Sequence, residues 1–198
     1  MKTTDSELFD FARRGSVLGV KAALSNGADV NARDKKGGTA LMYAVAGKKD
    51  PRVIETLIAR GADVNAKEED GRTALMFAAL LNEDPDVFKT LIDAGADVNA
   101  KDEKGCTALM FAALSNENPD VFKTLIDAGA DVNAKDKDGS TALVFAALSN
   151  TNLDVFKTLV DSGADVTTSA IYHLEHNKNI SKTDDYYSAV KEMLRVEE

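Results

Sequence analysis

Apolar and polar positions recur along this chain with a fixed step. Residues 73–100, TALMFAALLNEDPDVFKTLIDAGADVNA, return as residues 107–134 with changes only at Leu81/Ser115 and Asp84/Asn118. The hexapeptide GADVNA begins at Gly27, Gly61, Gly95 and Gly129, and GADVTT begins at Gly163, a spacing of 34 residues each time. A period of this size marks a solenoid, in which each unit buries its apolar face only against its neighbours. The pattern therefore predicts one elongated array, and function becomes a property of a surface.

Each unit reads as two helices and a turn. Thr39, Thr73, Thr107 and Thr141 share one phase and are predicted N-caps for a short first helix, such as Ala74 to Leu81, made of good helix formers. The small Ala78 and Ala79 let a neighbouring unit approach closely. All three prolines, Pro51, Pro85 and Pro119, also share one phase, each after Asp50, Asp84 or Asn118. That pair predicts an N-cap followed by the first helical position, where a missing N–H has no helical partner to lose. The fifth unit keeps the cap, Asn152, and puts Leu153 in the proline position.

Val87, Phe88, Leu91 and Ile92 then form one apolar stripe. Gly95 falls where a left-handed helix end is expected. ADVNAK is expected to be extended, and KDEKG and KDKDG to form turns ending at Gly105 and Gly139.

The D-x-x-G-x-T-A-L-M-x-A-A run, a second helix ending in L-I-x-x-G, and A-D-V-N-A resemble the ankyrin repeat over about residues 5–166. The copied TALM units are also similar to bacterial members of that family. Two features depart from the family pattern. Its usual T-P-L-H is TALM at Thr39, Thr73 and Thr107 and TALV at Thr141, so Met42, Met76, Met110 and Val144 must fill by packing a place otherwise held by a histidine network. The period also carries one residue more than the common 33.

The resemblance implies an all-α solenoid of stacked helix-turn-helix units with projecting β-turn loops, without an active site. The whole of 1–198 is expected to be a single domain: an N-terminal capping repeat 1–33, full repeats 34–67, 68–101, 102–135 and 136–167, and a C-terminal capping repeat 168–198. In the N-terminal cap, Phe9 and Ala12 are expected to face inward. In the C-terminal cap, Tyr186, Tyr187, Val190, Met193 and Leu194 share one face of a final helix, expected to dock on the fifth unit.

Charge and chemistry narrow the partners. The net charge of -9 argues against nucleic acid, because phosphate affinity comes from basic side chains that displace counterions. Residues 1–66 hold 11 basic against 8 acidic side chains, and residues 67–134 hold 6 against 14, so the array is polar along its length. The lone Cys106 excludes an internal disulfide. With neither a signal-like nor a membrane-spanning apolar run, the expectation is a cytoplasmic protein without membrane attachment.

His173 and His176, with Glu175 between them, have metal-like spacing but no third ligand in helical register, so no metal or cofactor is expected. Cys106 occupies a variable turn position and is expected to be exposed and incidental rather than a nucleophile. Catalysis is not expected.

The family geometry implies that turn tips and the outer side of the first helices line a concave face that binds a protein or peptide. At the tips the candidate residues are Lys35, Lys36, Glu69, Asp70, Arg72, Glu103, Lys104, Lys137, Asp138 and Ser140. On the first helices they are Tyr43, Phe77, Phe111 and Phe145, with Leu80, Leu81, Leu114 and Leu148 three or four residues on. These rings are either exposed anchors or seals between neighbouring repeats. A monomeric binding module is the expected function; a structural spacer or self-associating scaffold is the alternative, since near-identical copies leave few positions to encode specificity.

Overall fold

The computed structural model describes residues 3–47 and 50–177. Among them the chain forms eleven helices and no strand: α1 (Thr3–Arg14), α2 (Val17–Ser25), α3 (Ala40–Ala46), α4 (Arg52–Ala59), α5 (Ala74–Leu81), α6 (Pro85–Asp93), α7 (Ala108–Ser115), α8 (Pro119–Asp127), α9 (Ala142–Ser149), α10 (Leu153–Asp161) and α11 (Thr168–His176). The first helices α1, α3, α5, α7, α9 and α11 pack in one row, and the second helices α2, α4, α6, α8 and α10 in another.

The two rows bury different amounts of each helix. Ala74, Leu75, Met76, Ala78 and Ala79 are all buried, so α5 is enclosed on most sides and its alanines allow the close approach the sequence suggested. Helix α6 buries only Val87, Phe88 and Leu91, with Ile92 half-buried beside them. Met42, Met76, Met110 and Val144 are buried, filling the expected place by packing.

The helix ends follow from local chemistry. Thr39, Thr73 and Thr107 accept from the N–H of Met42, Met76 and Met110 at 3.4, 3.4 and 3.5 Å. Thr141 holds the same cap position, but its buried hydroxyl makes no cap bond and finds no partner among the described residues, contrary to the expectation. Asp84, Asn118 and Asn152 accept from the N–H two residues on at 2.9–3.0 Å. Helix α4 differs by one residue: Pro51 rather than Asp50 sits in the cap position, although Asp50 Oδ1 still accepts from Arg52 N–H at 3.0 Å. At the other end, Gly95 has φ +90°, its N–H donates to Ile92 O, and Ala96 N–H donates to Leu91 O. That pairing is a Schellman ending.

The ADVNAK segments are not extended as expected. Ala100 N–H closes a turn on Asp97 O at 3.2 Å, and Asp97 Oδ1 accepts from Asn99 N–H at 2.9 Å. A strand here would have no neighbour to pair with, whereas the turn lets Asn99 bridge to the next unit. Its Nδ2 donates to Gly129 O and its Oδ1 accepts from Asp131 N–H, both at 2.8 Å. Asn31, Asn65 and Asn133 repeat the bridge. At the N-terminal end, where no asparagine precedes, the buried Asp5 accepts from Asp29 N–H at 3.1 Å.

A second rail lies inside. Asn116 Nδ2 donates to Asn82 O at 2.7 Å, Asn150 Nδ2 to Asn116 O at 2.8 Å, and Asn177 Nδ2 to Asn150 O at 3.1 Å. These asparagines are buried, so the polar inter-helix loops are satisfied from neighbouring units.

In the N-terminal cap Leu8, Phe9 and Ala12 are buried, as the pattern of Phe9 and Ala12 predicted. Helix α11 packs against α9. The predicted face of Tyr186, Tyr187, Val190, Met193 and Leu194 lies outside the described residues.

Candidate functional site: the tips and the first-helix row

Each tip is tied by one acid at the first position of the D-x-x-G run, with Glu68 in place of Asp in one unit. Asp34 Oδ1 accepts from the N–H groups of Lys36 and Gly38 at 2.7 and 2.8 Å. Glu68, Asp102 and Asp136 hold their own tips in the same way, at 2.8–3.1 Å. Neighbouring tips are joined by backbone bonds of 2.9 Å from Glu69 N–H to Lys36 O, Glu103 N–H to Asp70 O, and Lys137 N–H to Lys104 O. The approach is close: a Cβ on Gly71 would stand 3.0 Å from Glu103 N. With both backbone groups engaged, the tip side chains point away from a fixed frame.

Lys35, Lys36, Glu69, Asp70, Glu103, Lys104, Lys137 and Asp138 are exposed, while Arg72 and Ser140 are half-buried. Arg72 turns onto the row below it, its guanidinium carbon 5.6 Å from the centre of the Phe111 ring and its Nη2 3.5 Å from Asp70 Oδ2. Such stacking suits the planar guanidinium.

Tyr43, Phe77, Phe111 and Phe145 are all half-buried and packed against the core, so each ring both seals and presents a face. Phe9 belongs to this ladder too. It lies one period before Tyr43, and the two rings stand 5.5 Å apart at 37°. Subtracting 34 from Tyr43 would have found it. Leu80 and Leu81 are half-buried, and Leu114 and Leu148 are 37% and 43% exposed, extending an apolar strip beside the rings.

Between tips and helices lies an apolar recess of about 220 Å³, framed by Met42, Tyr43, Ala46, Phe77 and Leu81 with Asp34 at its rim. Tyr43 hydroxyl donates to Asp34 Oδ2 at 2.5 Å. Burial alone pushes the Asp34 carboxyl up. The Tyr43 hydroxyl and the Gly38 and Lys36 N–H groups together outweigh it and leave Asp34 below the ordinary carboxylate range. The hydrogen bond to Asp34, with burial and that negative charge, raises Tyr43 in turn.

Cys106 is half-buried rather than exposed, because its N–H is drawn to Asp102 at 2.8 Å and its side chain packs against the core. Burial, with Asp102 and Asp136 nearby, pushes its thiol up to about 11, the opposite of an activated nucleophile. His173 and His176 both lie on α11. His176 stacks on Tyr172 at 4.2 Å with its Nδ1 2.7 Å from Tyr172 O. Among the described residues no three potential metal ligands come together.

Stacked two-helix units joined through projecting tips, with an apolar aromatic row beneath, define a helical repeat solenoid. A family model for ankyrin repeats in three copies matches residues 8–102 and again 75–170, and the chain belongs to the ankyrin-repeat family. Ankyrin repeats generally mediate protein–protein interaction, typically as non-catalytic binding modules. No curated protein sequence matches the chain. Among the described residues no helix is long and apolar enough to cross a membrane.

Proposed function

We propose that the side formed by the tips and the first-helix row is concave and is the binding surface for a protein or peptide partner, and that the protein acts by binding without catalysis. The observation that carries this reading is the ladder of half-buried rings, Tyr43, Phe77, Phe111 and Phe145, lying beside exposed charged tips. Aromatic anchors flanked by polar groups are the usual make-up of an interface. The tips are held by their own acids and by one another, so little ordering entropy is lost on association. In this reading Lys35, Lys36, Glu69, Asp70, Glu103, Lys104, Lys137 and Asp138 steer and orient the partner, while Arg72 and Ser140 contact it from the tip bases.

The test replaces groove leucines that already meet solvent, so that folding is spared. A partner captured from native extract is titrated against the wild-type protein and against Leu114→Glu/Leu148→Glu. Loss of affinity with an unchanged helical spectrum supports the groove; full affinity in the folded double variant removes it.

A further inference from the structure

We propose that the junction of the first two full units is the specificity pocket of this groove: the recess between Tyr43 and Phe77 takes one large aliphatic or aromatic side chain from a linear peptide segment in which a Lys or Arg adjoins that residue. This rests on the groove reading above and names its partner chemistry.

The recess exists because one unit breaks the pattern of the others. Position 46 is Ala, where the in-phase residues of the following units are Leu80, Leu114 and Leu148. The next residue, Gly47, is forced to be small, since a Cβ there would stand 2.4 Å from the carbonyl oxygen of Arg13 at the end of α1. Its in-phase counterpart Leu81 is large and forms the far wall. A hollow of about 220 Å³ results, with Met42 and Phe77 completing its apolar lining. That is below the volume of pockets that enclose whole small molecules, and it suits a single side chain. Tyr43, which has a hydroxyl where Phe77, Phe111 and Phe145 have none, is fixed by Asp34, so the pocket is formed before anything binds.

Charge selects the neighbour of the anchoring residue. Asp34 and Tyr43 are shared with a second, wider cavity of about 510 Å³ that also contains Glu7 and Asp10. Among its described lining residues the cation is Arg13, engaged by Asp10 at 3.0 Å, and Asp10 also holds Arg14 at 2.8 Å. Glu68 adds a carboxylate to the smaller recess and Lys36 a cation, so among the described residues that line the two cavities four carboxylates stand beside two cations. An apolar residue seated in the small recess places the next side chain over this acidic cavity, where a Lys or Arg is favoured over an acid.

The probe is a displayed library of short random linear peptides panned on the full-length protein. Enriched sequences are expected to share a Leu, Ile, Phe or Trp beside a Lys or Arg. Ala46→Leu, which restores the leucine of the other units and leaves the fold unstrained, should weaken these peptides by about tenfold or more with an unchanged urea midpoint. Glu7→Gln at an exposed site should weaken them by a smaller factor that shrinks as salt is raised.

Enrichment of no peptide, enrichment without the paired motif, or equal affinity for Ala46→Leu overturns the pocket. Peptides that ignore Ala46→Leu but are lost with Leu114→Glu/Leu148→Glu would leave the groove standing and remove only the pocket. Peptides that ignore both remove both.

Discussion

Tyr43 reaches from α3 back to the tip of its own unit and donates its hydroxyl to Asp34 Oδ2 at 2.5 Å, locking this ladder ring to the acid that organises the first tip. The bond titrates at both ends. Asp34 sits below its usual value, so its contribution is present above the unfolded carboxylate value of about 3.9 and is lost as pH falls through the lower folded value. Tyr43 sits above its usual value, so its contribution is present below about pH 10 and is lost as pH rises through the raised folded value.

Tyr43→Phe is therefore expected to lower stability by about 1 kcal/mol at neutral pH, the ordinary worth of such a bond where water reaches one side. Urea midpoints of the two proteins should converge in strong acid and again in strong alkali. A constant difference at all pH values would show that the titrating bond to Asp34 does not carry the effect.

The asparagine rails should separate by burial. Asn116 is 2% exposed, donates to Asn82 O at 2.7 Å and accepts from Asn118 N–H at 3.0 Å. Asn116→Ala removes the partner of the buried Asn82 carbonyl and of the half-buried Asn118 N–H and should cost about 1–3 kcal/mol by urea unfolding. Asn99→Ala cuts a similar pair of inter-unit bonds at the surface, where water replaces them, and should cost about 1 kcal/mol or less. Equal losses at the two sites would contradict a burial-dependent account.

Those rails also mark where sequence reading stops. Helix ends could be read because their signals are local: Pro85 starts α6 and Gly95 ends it within a turn of the atoms they satisfy. The bond from Asn99 to Gly129 spans 30 residues, and nothing beside Asn99 announces it. An isolated reading of ADVNAK therefore suggested extended backbone, when the asparagine had a partner in the next unit to turn towards. Phe9 escaped because its capping unit lacks the T-A-L motif that sets the phase of the first helices. The recess at Ala46 was visible in principle, as a small residue in a leucine column, but its meaning depends on Leu81 from the next helix standing opposite. Which ladder rings are open could not be read at all, since half-burial depends on how closely the tips overhang them.

Core packing gives a larger effect. Phe122 of α8 is fully buried within the second-helix row, and Phe122→Ala should cost about 3–5 kcal/mol through lost contact and a residual cavity. Because units contact only their neighbours, the loss should appear first as fraying of the adjoining helices. Hydrogen exchange should show α8 and its neighbours losing protection before α2; uniform loss along the array would instead indicate a single cooperative block.

Cys106 supplies a probe of the tips without any substitution. Its thiol is raised from 9.0 to about 11, first by burial and then by the carboxylates of Asp102 and Asp136. The reacting species is the thiolate, so at pH 8 its population in the native protein should be about a hundredfold below that of an ordinary thiol. Alkylation by iodoacetamide should be correspondingly slow in native buffer, fast in concentrated urea, and should rise with pH until about 11. Asp102→Asn should raise the native rate through the lost charge, while Asp102→Ala should raise it further by loosening the tip whose Cys106 N–H it holds at 2.8 Å. A native rate equal to that in urea would show that the tip opens freely. The fixed frame on which the groove depends would then be absent in solution.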